Sequence, residues 1–406
     1  MTFQFDSLFR SGLPTAAPRW TGFPTFNFVG GHNDADNVPV DGLRAAADTV
    51  LKREGRTLAT YSLDSGPLGY RPLRDFISAK LKRRAGMTVD PEQILITSGS
   101  LQALDLVNGV FLEPGDTVLI EEATYAGSIS RFQRLGVTCL GVPVDRDGIV
   151  TETLAAILDS LKSKGTRPKF LYCIPTIQNP TGAVMTEARR TELLRIAAAH
   201  DLLIFEDDCY ADLLWEGERP AAIHALDQDG RVIYCGSFSK SIAPALRVGY
   251  LAAPWEALSR MLSLKTDAGS GALEQMVLAE YAPAAFDSHV ETSRLALKAK
   301  ADATVAALEE QFGTAADFEP PRGGIFLWAS LPDQVDTSRL AAVALEEGVA
   351  INPGAEWSAD PEKGRSKLRI CFANPSIETL EKGIAKLAEV CHREFGIPLR
   401  SSNVER

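Results

Sequence analysis

The segment of this chain richest in chemistry is Ser237-Phe238-Ser239-Lys240, followed by Arg247. Two hydroxyls and two cations come directly after an apolar run that reads as a strand. The Lys240 amine can form a Schiff base with a carbonyl compound. Ser237, Ser239 and Arg247 can together hold a phosphate, the guanidinium supplying planar, bidentate donors. Taken alone, the segment fits a surface lysine and arginine beside solvent-facing serines equally well.

Three further pieces carry chemistry of their own. Phe205-Glu206-Asp207-Asp208-Cys209-Tyr210 brings acids to the end of an apolar run. A carboxylate there can keep a ring nitrogen protonated and so make the ring an electron sink; an isolated acidic run also suits a helix start or a solvated loop. Ile174-Pro175-Thr176-Ile177-Gln178-Asn179-Pro180-Thr181-Gly182 is a strand ending in a turn. Asn, Pro and Gly are turn formers in their own right, and the Asn179 amide is also a donor for an oxygen on a ring. Thr97-Ser98-Gly99-Ser100-Leu101-Gln102 lies between a strand and a helix start. Exposed N–H groups and the helix dipole favour an anion there, and an ordinary capped helix has the same look.

The elements that would position these pieces alternate along the chain. Strands are expected at 93–97, 117–120, 137–144, 170–174, 202–205, 232–235 and 247–252. Helices are expected at 101–111, 154–161 with Thr151 as its N-cap, and 187–199. That alternation predicts an α/β domain with a mainly parallel sheet, whose ligand loops lie at the carboxyl ends of the strands. The last third reads differently: a long helix at 290–312, a strand at 325–329, a helix at 338–347, a strand at 367–372 and a helix at 376–394. This is the pattern of a smaller α+β domain. The expected division is an N-terminal arm with part of the small domain at 1–50, a large domain at 51–285, and a small domain at 286–406, with the boundary near 283–287.

Composition narrows the function classes. The chain has 406 residues, 45% hydrophobic and 23% charged, as in globular proteins with a sizeable core. Its net charge of −11 repels phosphate backbones, so no nucleic-acid partner is expected. No apolar run is long enough for a membrane span, and the N-terminus lacks the layout of a secretion signal. The six cysteines form no CxxC pair; buried thiols in a reducing, cytoplasmic protein are the expectation. The five histidines are scattered without zinc-type spacing, so no metal is expected.

The order and spacing of the motifs together resemble the fold-type I, class I/II aminotransferases that use pyridoxal 5′-phosphate (PLP). The similarity is greatest to the subgroup of α-aminoadipate and kynurenine aminotransferases and of the aminotransferase-like domain of MocR-type regulators. It runs from about Phe26 to Val390. The resemblance implies a large domain with a mainly parallel seven-stranded sheet, a smaller α+β domain, and a role for each motif residue. Lys240 is then the Schiff-base lysine and proton carrier. Asp207 pairs with the pyridine nitrogen, while Asn179 and Tyr210 bond the phenolic oxygen and Tyr125 stacks on the ring. Gly99, Ser100, the Leu101 backbone, Ser237, Ser239 and Arg247 form the phosphate cup. Arg369, in Lys367-Leu368-Arg369-Ile370, binds the substrate α-carboxylate, with Asn179 and the Gly31 backbone nearby. Tyr61 reaches the phosphate of a partner subunit, which implies a homodimer with shared active sites. The chain departs from the family pattern at Gly30-Gly31-His32-Asn33, often Gly-Gly-Leu-Pro; at Leu101, usually Gln; and at Cys209, commonly Pro.

The implied reaction is a ping-pong transamination in amino acid metabolism, from an L-amino acid to a 2-oxo acid such as 2-oxoglutarate or pyruvate. Arg10 and Arg19 are weaker candidates for a distal carboxylate. The same lysine, aspartate and phosphate cup would also serve a lyase, decarboxylase or cyclase. A MocR-like sensor is the third reading, disfavoured because only about 25 residues precede the match.

Overall fold

In the computed structural model, which describes residues 3, 5 and 8–398, seven of the apolar runs pair into one sheet. In chain order these are β1 (Ile94–Thr97), β2 (Thr117–Glu121), β3 (Thr138–Val142), β4 (Phe170–Cys173), β5 (Leu203–Asp207), β6 (Val232–Ser237) and β7 (Gly249–Ala252). Their spatial order is β1-β7-β6-β5-β4-β2-β3. All neighbours run parallel except β7, which is antiparallel to both β1 and β6. The mainly parallel seven-stranded sheet expected from the motifs is therefore present.

The strands lack polar alternation because helices cover both faces of the sheet. Alternate residues enter two separate cores. Val118, Ile120, Phe170, Tyr172 and Phe205 pack on the side of the helices Ser100–Phe111 and Ala126–Arg134. Leu119, Leu171, Cys173 and Ile204 pack on the side of Thr151–Ser163 and Glu187–Ala199. The last of these helices has the bounds read from the sequence, with Thr186 accepting the Arg189 N–H at its start. Thr151 is not an N-cap as expected: Val150 holds that position without a side-chain bond, and Thr151 is buried as the first helical residue.

One helix joins the two parts of the molecule. It runs Ala272–Phe312, beginning well before the expected residue 290 and carrying Pro283 inside it. Met276, Leu278, Ala282 and Phe286 pack into the core around β1, β6 and β7. Leu297, Ala301, Leu308 and Phe312 pack into a second core with the C-terminal elements. The 285/286 division thus falls within a continuous helix whose two halves serve different cores.

The second core lies on a three-stranded antiparallel sheet. Its strands are β8 (Phe326–Ser330), β9 (Asn352–Pro353) and β10 (Lys367–Cys371), ordered β8-β10-β9. Helices Thr337–Glu346 and Ile377–Phe395 cover it. The N-terminal segment joins this part through Phe26–Asn27, which pairs in parallel with Val349–Ala350. Among the described residues no helix is long and apolar enough to cross a membrane.

Candidate active site

Parallel strands deliver their following loops to one end of a sheet. Ser98–Ser100 follows β1, Tyr125 comes after β2, Asn179 after β4, Tyr210 after β5 and Lys240 after β6. The reversed β7 starts where its neighbours finish, with Gly249 opposite both Thr97 and Ser237. Arg247, two residues before it, therefore arrives at the same end.

These loops enclose a cavity of about 250 Å³. Gly31, Ser100, Leu101, Tyr125, Asn179, Asp207, Tyr210, Ser237, Ser239, Lys240, Arg247 and Arg369 all line it. Gly99 sits behind this wall: a Cβ there would collide with the Arg247 guanidinium, and its φ of 76° suits glycine. Tyr61 does not line the cavity of its own chain. It lies on the turn Tyr61–Asp64 and is 82% exposed. His32 also stays outside, its ring edge-on to Phe23 at 5.2 Å. Arg10 and Arg19 lie on the exposed N-terminal arm.

One end of the cavity is built for an anion. The helix Ser100–Phe111 starts at Gly99 with no side-chain cap, so its first-turn N–H groups are available. Arg247 is held beside it in a left-handed conformation (φ 54°), donating to the carbonyls of Ser98 at 3.0 Å and Pro244 at 3.1 Å. The Ser237 hydroxyl accepts the Ser239 N–H at 3.0 Å.

The centre holds the amine. Lys240 Nζ donates to the Gly31 carbonyl at 2.5 Å. Burial pushes its pKa down to about 8, and the cations of Arg369 and Arg247 push the same way.

The same cavity is lined by a carboxylate with a free valence. Asp207 Oδ2 accepts the Tyr172 hydroxyl at 2.8 Å, while Oδ1 is shut off from solvent with no partner. Burial raises the Asp207 pKa, opposed by the neighbouring Cys209 and by the Tyr172 hydroxyl. The nearest ligand atoms of Asp207, Cys209 and Cys235 lie within 4.8 Å of one another. The Asn179 amide donates to the Tyr210 hydroxyl at 3.4 Å, and Asn179 Oδ1 is unpartnered. Burial pushes the Tyr210 phenol well up, so it keeps its proton.

Arg369, only 2% exposed, also lines the cavity. Its guanidinium lies 4.5 Å from the Trp357 ring centre and 4.6 Å from that of Phe326. It donates to the Gly30 carbonyl at 3.2 Å, and its Nε has no partner. Ring faces and one carbonyl surround this cation, which leaves it free to take a carboxylate.

Several wall residues were given no role from the sequence: Gly30, Ile174 and Cys209 lay inside quoted motifs, and the others carried no signal. Gly30, Ile174, Cys209, Pro244, Asn352 and Trp357 also line the cavity, and Tyr172 stands behind Asp207. Their types are those of ordinary core and loop residues. Asn352 was findable only through its pairing with Arg369 across β9 and β10.

The family model for aminotransferase class I and II matches residues 31–387. The chain belongs to this family. It is 32% identical over 372 residues to aromatic-amino-acid aminotransferase 1 of Thermococcus litoralis, covering 91% of this chain and 88% of that one. It is 35% identical to an HTH-type transcriptional regulator of Bacillus subtilis over 80% of this chain and 66% of the regulator. Among solved structures it superposes on the α-aminoadipate aminotransferase LysN of Thermus thermophilus, complexed with N-(5′-phosphopyridoxyl)-L-leucine, at a TM-score of 0.82. The two are 34% identical, with 90% of this chain and 91% of that one covered. This aminotransferase has the fold-type I architecture, and its cofactor is pyridoxal phosphate.

Proposed function

We propose that the cavity at the carboxyl ends of the strands is the transamination site, with the residue roles that the motifs imply. One observation carries the proposal: a buried amine, a carboxylate with one unpartnered oxygen and two arginines line a single cavity. They fit pyridoxal phosphate chemically. Asp207 Oδ1 lacks the donor that a protonated ring nitrogen would be. Gly99, Ser100, the Leu101 N–H, Ser237, Ser239 and Arg247 suit a phosphate dianion. Asn179 and Tyr210 are donors for a phenolic oxygen, and Tyr125 offers a ring face.

When bound, the cofactor supplies an aldehyde for the amine and an electron-poor ring for the charge left at Cα. Lys240 would hold that aldehyde and then move a proton, a task suited to an amine whose pKa lies near 8. Arg369 would take the substrate α-carboxylate between its two rings, beside Asn179 and the Gly31 backbone. The donor would be an L-amino acid, and 2-oxoglutarate or pyruvate would be the acceptor in a ping-pong cycle.

The same reading makes the protein a homodimer, with Tyr61 of one copy completing the phosphate site of the other. Its support is the exposure of Tyr61 and of Leu13, Trp20 and Phe23 on the arm. The domain division at 51–285 and 286–406, with residues 1–50 as the arm, belongs to this reading too. All six cysteines are free, which supports a cytoplasmic location.

The test adds single amino acids to the PLP-loaded protein without any oxo acid. The expected result is conversion of the cofactor to its pyridoxamine form with release of the matching 2-oxo acid. Ammonia, carbon dioxide or a cyclised product instead would overturn transamination. Lys240→Ala should cut turnover by at least about 10³-fold. Full activity in that variant would overturn the residue assignment.

A further inference from the structure

We propose that Tyr172 is a positioning residue for Asp207: its hydroxyl ties down one carboxylate oxygen so that the other is presented to the cavity in ionised form. The proposal rests on the reading of Asp207 as the partner of the cofactor ring nitrogen.

The strand register creates the contact. Tyr172 on β4 lies opposite Phe205 on β5, so the two side chains share a face of the sheet. Asp207 is two residues further along β5 and therefore on that same face. A side chain long enough to cross the diagonal is needed, and the tyrosine hydroxyl reaches Asp207 Oδ2 at 2.8 Å. The ring is fully buried, packed against Phe132 at 6.2 Å and Phe205 at 5.6 Å. Phenylalanine would fill that space equally well. The hydroxyl is thus the one part of the side chain that packing does not require.

An ionised carboxylate only accepts hydrogen bonds, so Tyr172 is the donor in this pair. Burial and the neighbouring Asp207 hold the phenol proton on well above its ordinary range. The donor has two effects. It makes the two carboxylate oxygens inequivalent, fixing the group's rotation and leaving Oδ1 toward a ligand. It also offsets part of the desolvation that would otherwise drive a proton onto Asp207. A carboxylate that stays charged holds a proton on a basic ring nitrogen more firmly than a neutral acid would.

The test compares Tyr172→Phe with Asp207→Asn and the parent protein. Three readouts are taken: the apparent dissociation constant of pyridoxal phosphate, the pH dependence of the bound cofactor's absorbance, and kcat against KM. Tyr172→Phe should weaken cofactor binding roughly tenfold, as expected for loss of one bond to a charged group. It should also shift the midpoint of the absorbance titration and lower kcat while leaving KM for the amino acid within about twofold. A purely structural hydroxyl would lower the unfolding temperature and leave the titration midpoint unchanged. The proposal is overturned if Tyr172→Phe matches the parent in affinity and midpoint while Asp207→Asn loses both. If Asp207→Asn also matches the parent, the reading of Asp207 itself fails, and this inference with it.

Discussion

Two groups of buried charge meet on the stretch 206–212, and they are built on different terms. Behind the sheet end, Asp212 accepts Lys80 at 2.7 Å, Arg84 at 3.0 Å and Arg219 at 3.4 Å. Lys80 in turn lies over the rings of Phe238, Tyr250 and Phe286, 5.2–5.8 Å from their centres. Glu206 accepts the backbone N–H groups of Ile223 and His224, each at 2.8 Å, beside the fully buried Arg190. Both carboxylates use both of their oxygens; within this network Asp208 Oδ1 and Arg219 Nε are the atoms left over. On the cavity side the proportions reverse. Asp207 has an unpartnered oxygen, as does Asn179, and Arg369 has an unpartnered nitrogen. Asp212 and Glu206 are saturated by the protein, and a buried orphan costs stability. A binding site keeps valences open for its ligand, and that cost falls on the fold.

The contrast can be broken most directly through Asp212. Asp212→Ala strands Lys80 in the core without its anion and should lower the unfolding free energy by about 3–5 kcal/mol. Asp207→Asn should change it by less than about 1 kcal/mol while impairing cofactor binding. Urea denaturation of the cofactor-free proteins measures both; equal losses would erase the distinction between the two groups.

A second check uses the Lys240 amine. Its pKa is lowered to about 8, and only the neutral amine attacks an aldehyde. Uptake of pyridoxal phosphate by the cofactor-free protein should therefore rise about tenfold per pH unit below that value and flatten above it. A rate that keeps climbing past pH 9 would mean that the cavity does not depress the amine.

A third check concerns Glu121, buried at the end of β2 with Oε1 unpartnered. Burial raises its pKa to about 8, although the Gln178 amide and Ile174 N–H donate to its other oxygen. The folded protein then holds a proton that the unfolded chain releases near its ordinary value of 4.5. Stability should fall as pH rises from about 4.5 to about 8. Glu121→Gln removes that slope, so between pH 5 and 8 the parent should lose up to about 3 kcal/mol relative to the variant. Parallel curves would put Glu121 among the saturated charges.

The motif residues were legible as candidates through their shared order and spacing, since each motif alone has an ordinary structural reading. An arginine inside the apolar run 367–371 needs an anion, whereas the Asn-Pro-Thr-Gly turn after a strand is by itself simple turn chemistry. The start of the long helix was not legible. The boundary was expected near Pro283, yet the helix starts after Gly271 and continues through the proline, its two halves clamped into separate cores. Trp357 and Tyr172 gave no signal because a buried aromatic has the same sequence appearance whether it fills a core or braces a charge.

By itself, the sequence determined the alternation of strands and helices, and with it a mainly parallel sheet whose loops converge at one end. It also offered candidate side chains for the reaction, because the order and spacing of its motifs together resemble one family's although each motif alone is ambiguous. Only the tertiary structure decided what surrounds the acid that the motifs singled out, Asp207, and which valences remain open. The reason is physical: a side chain's partners and desolvation come from strand register and from segments distant in the chain, as when Asp207 on β5 meets Tyr172 on β4 and Arg369 on β10 meets the carbonyl of Gly30.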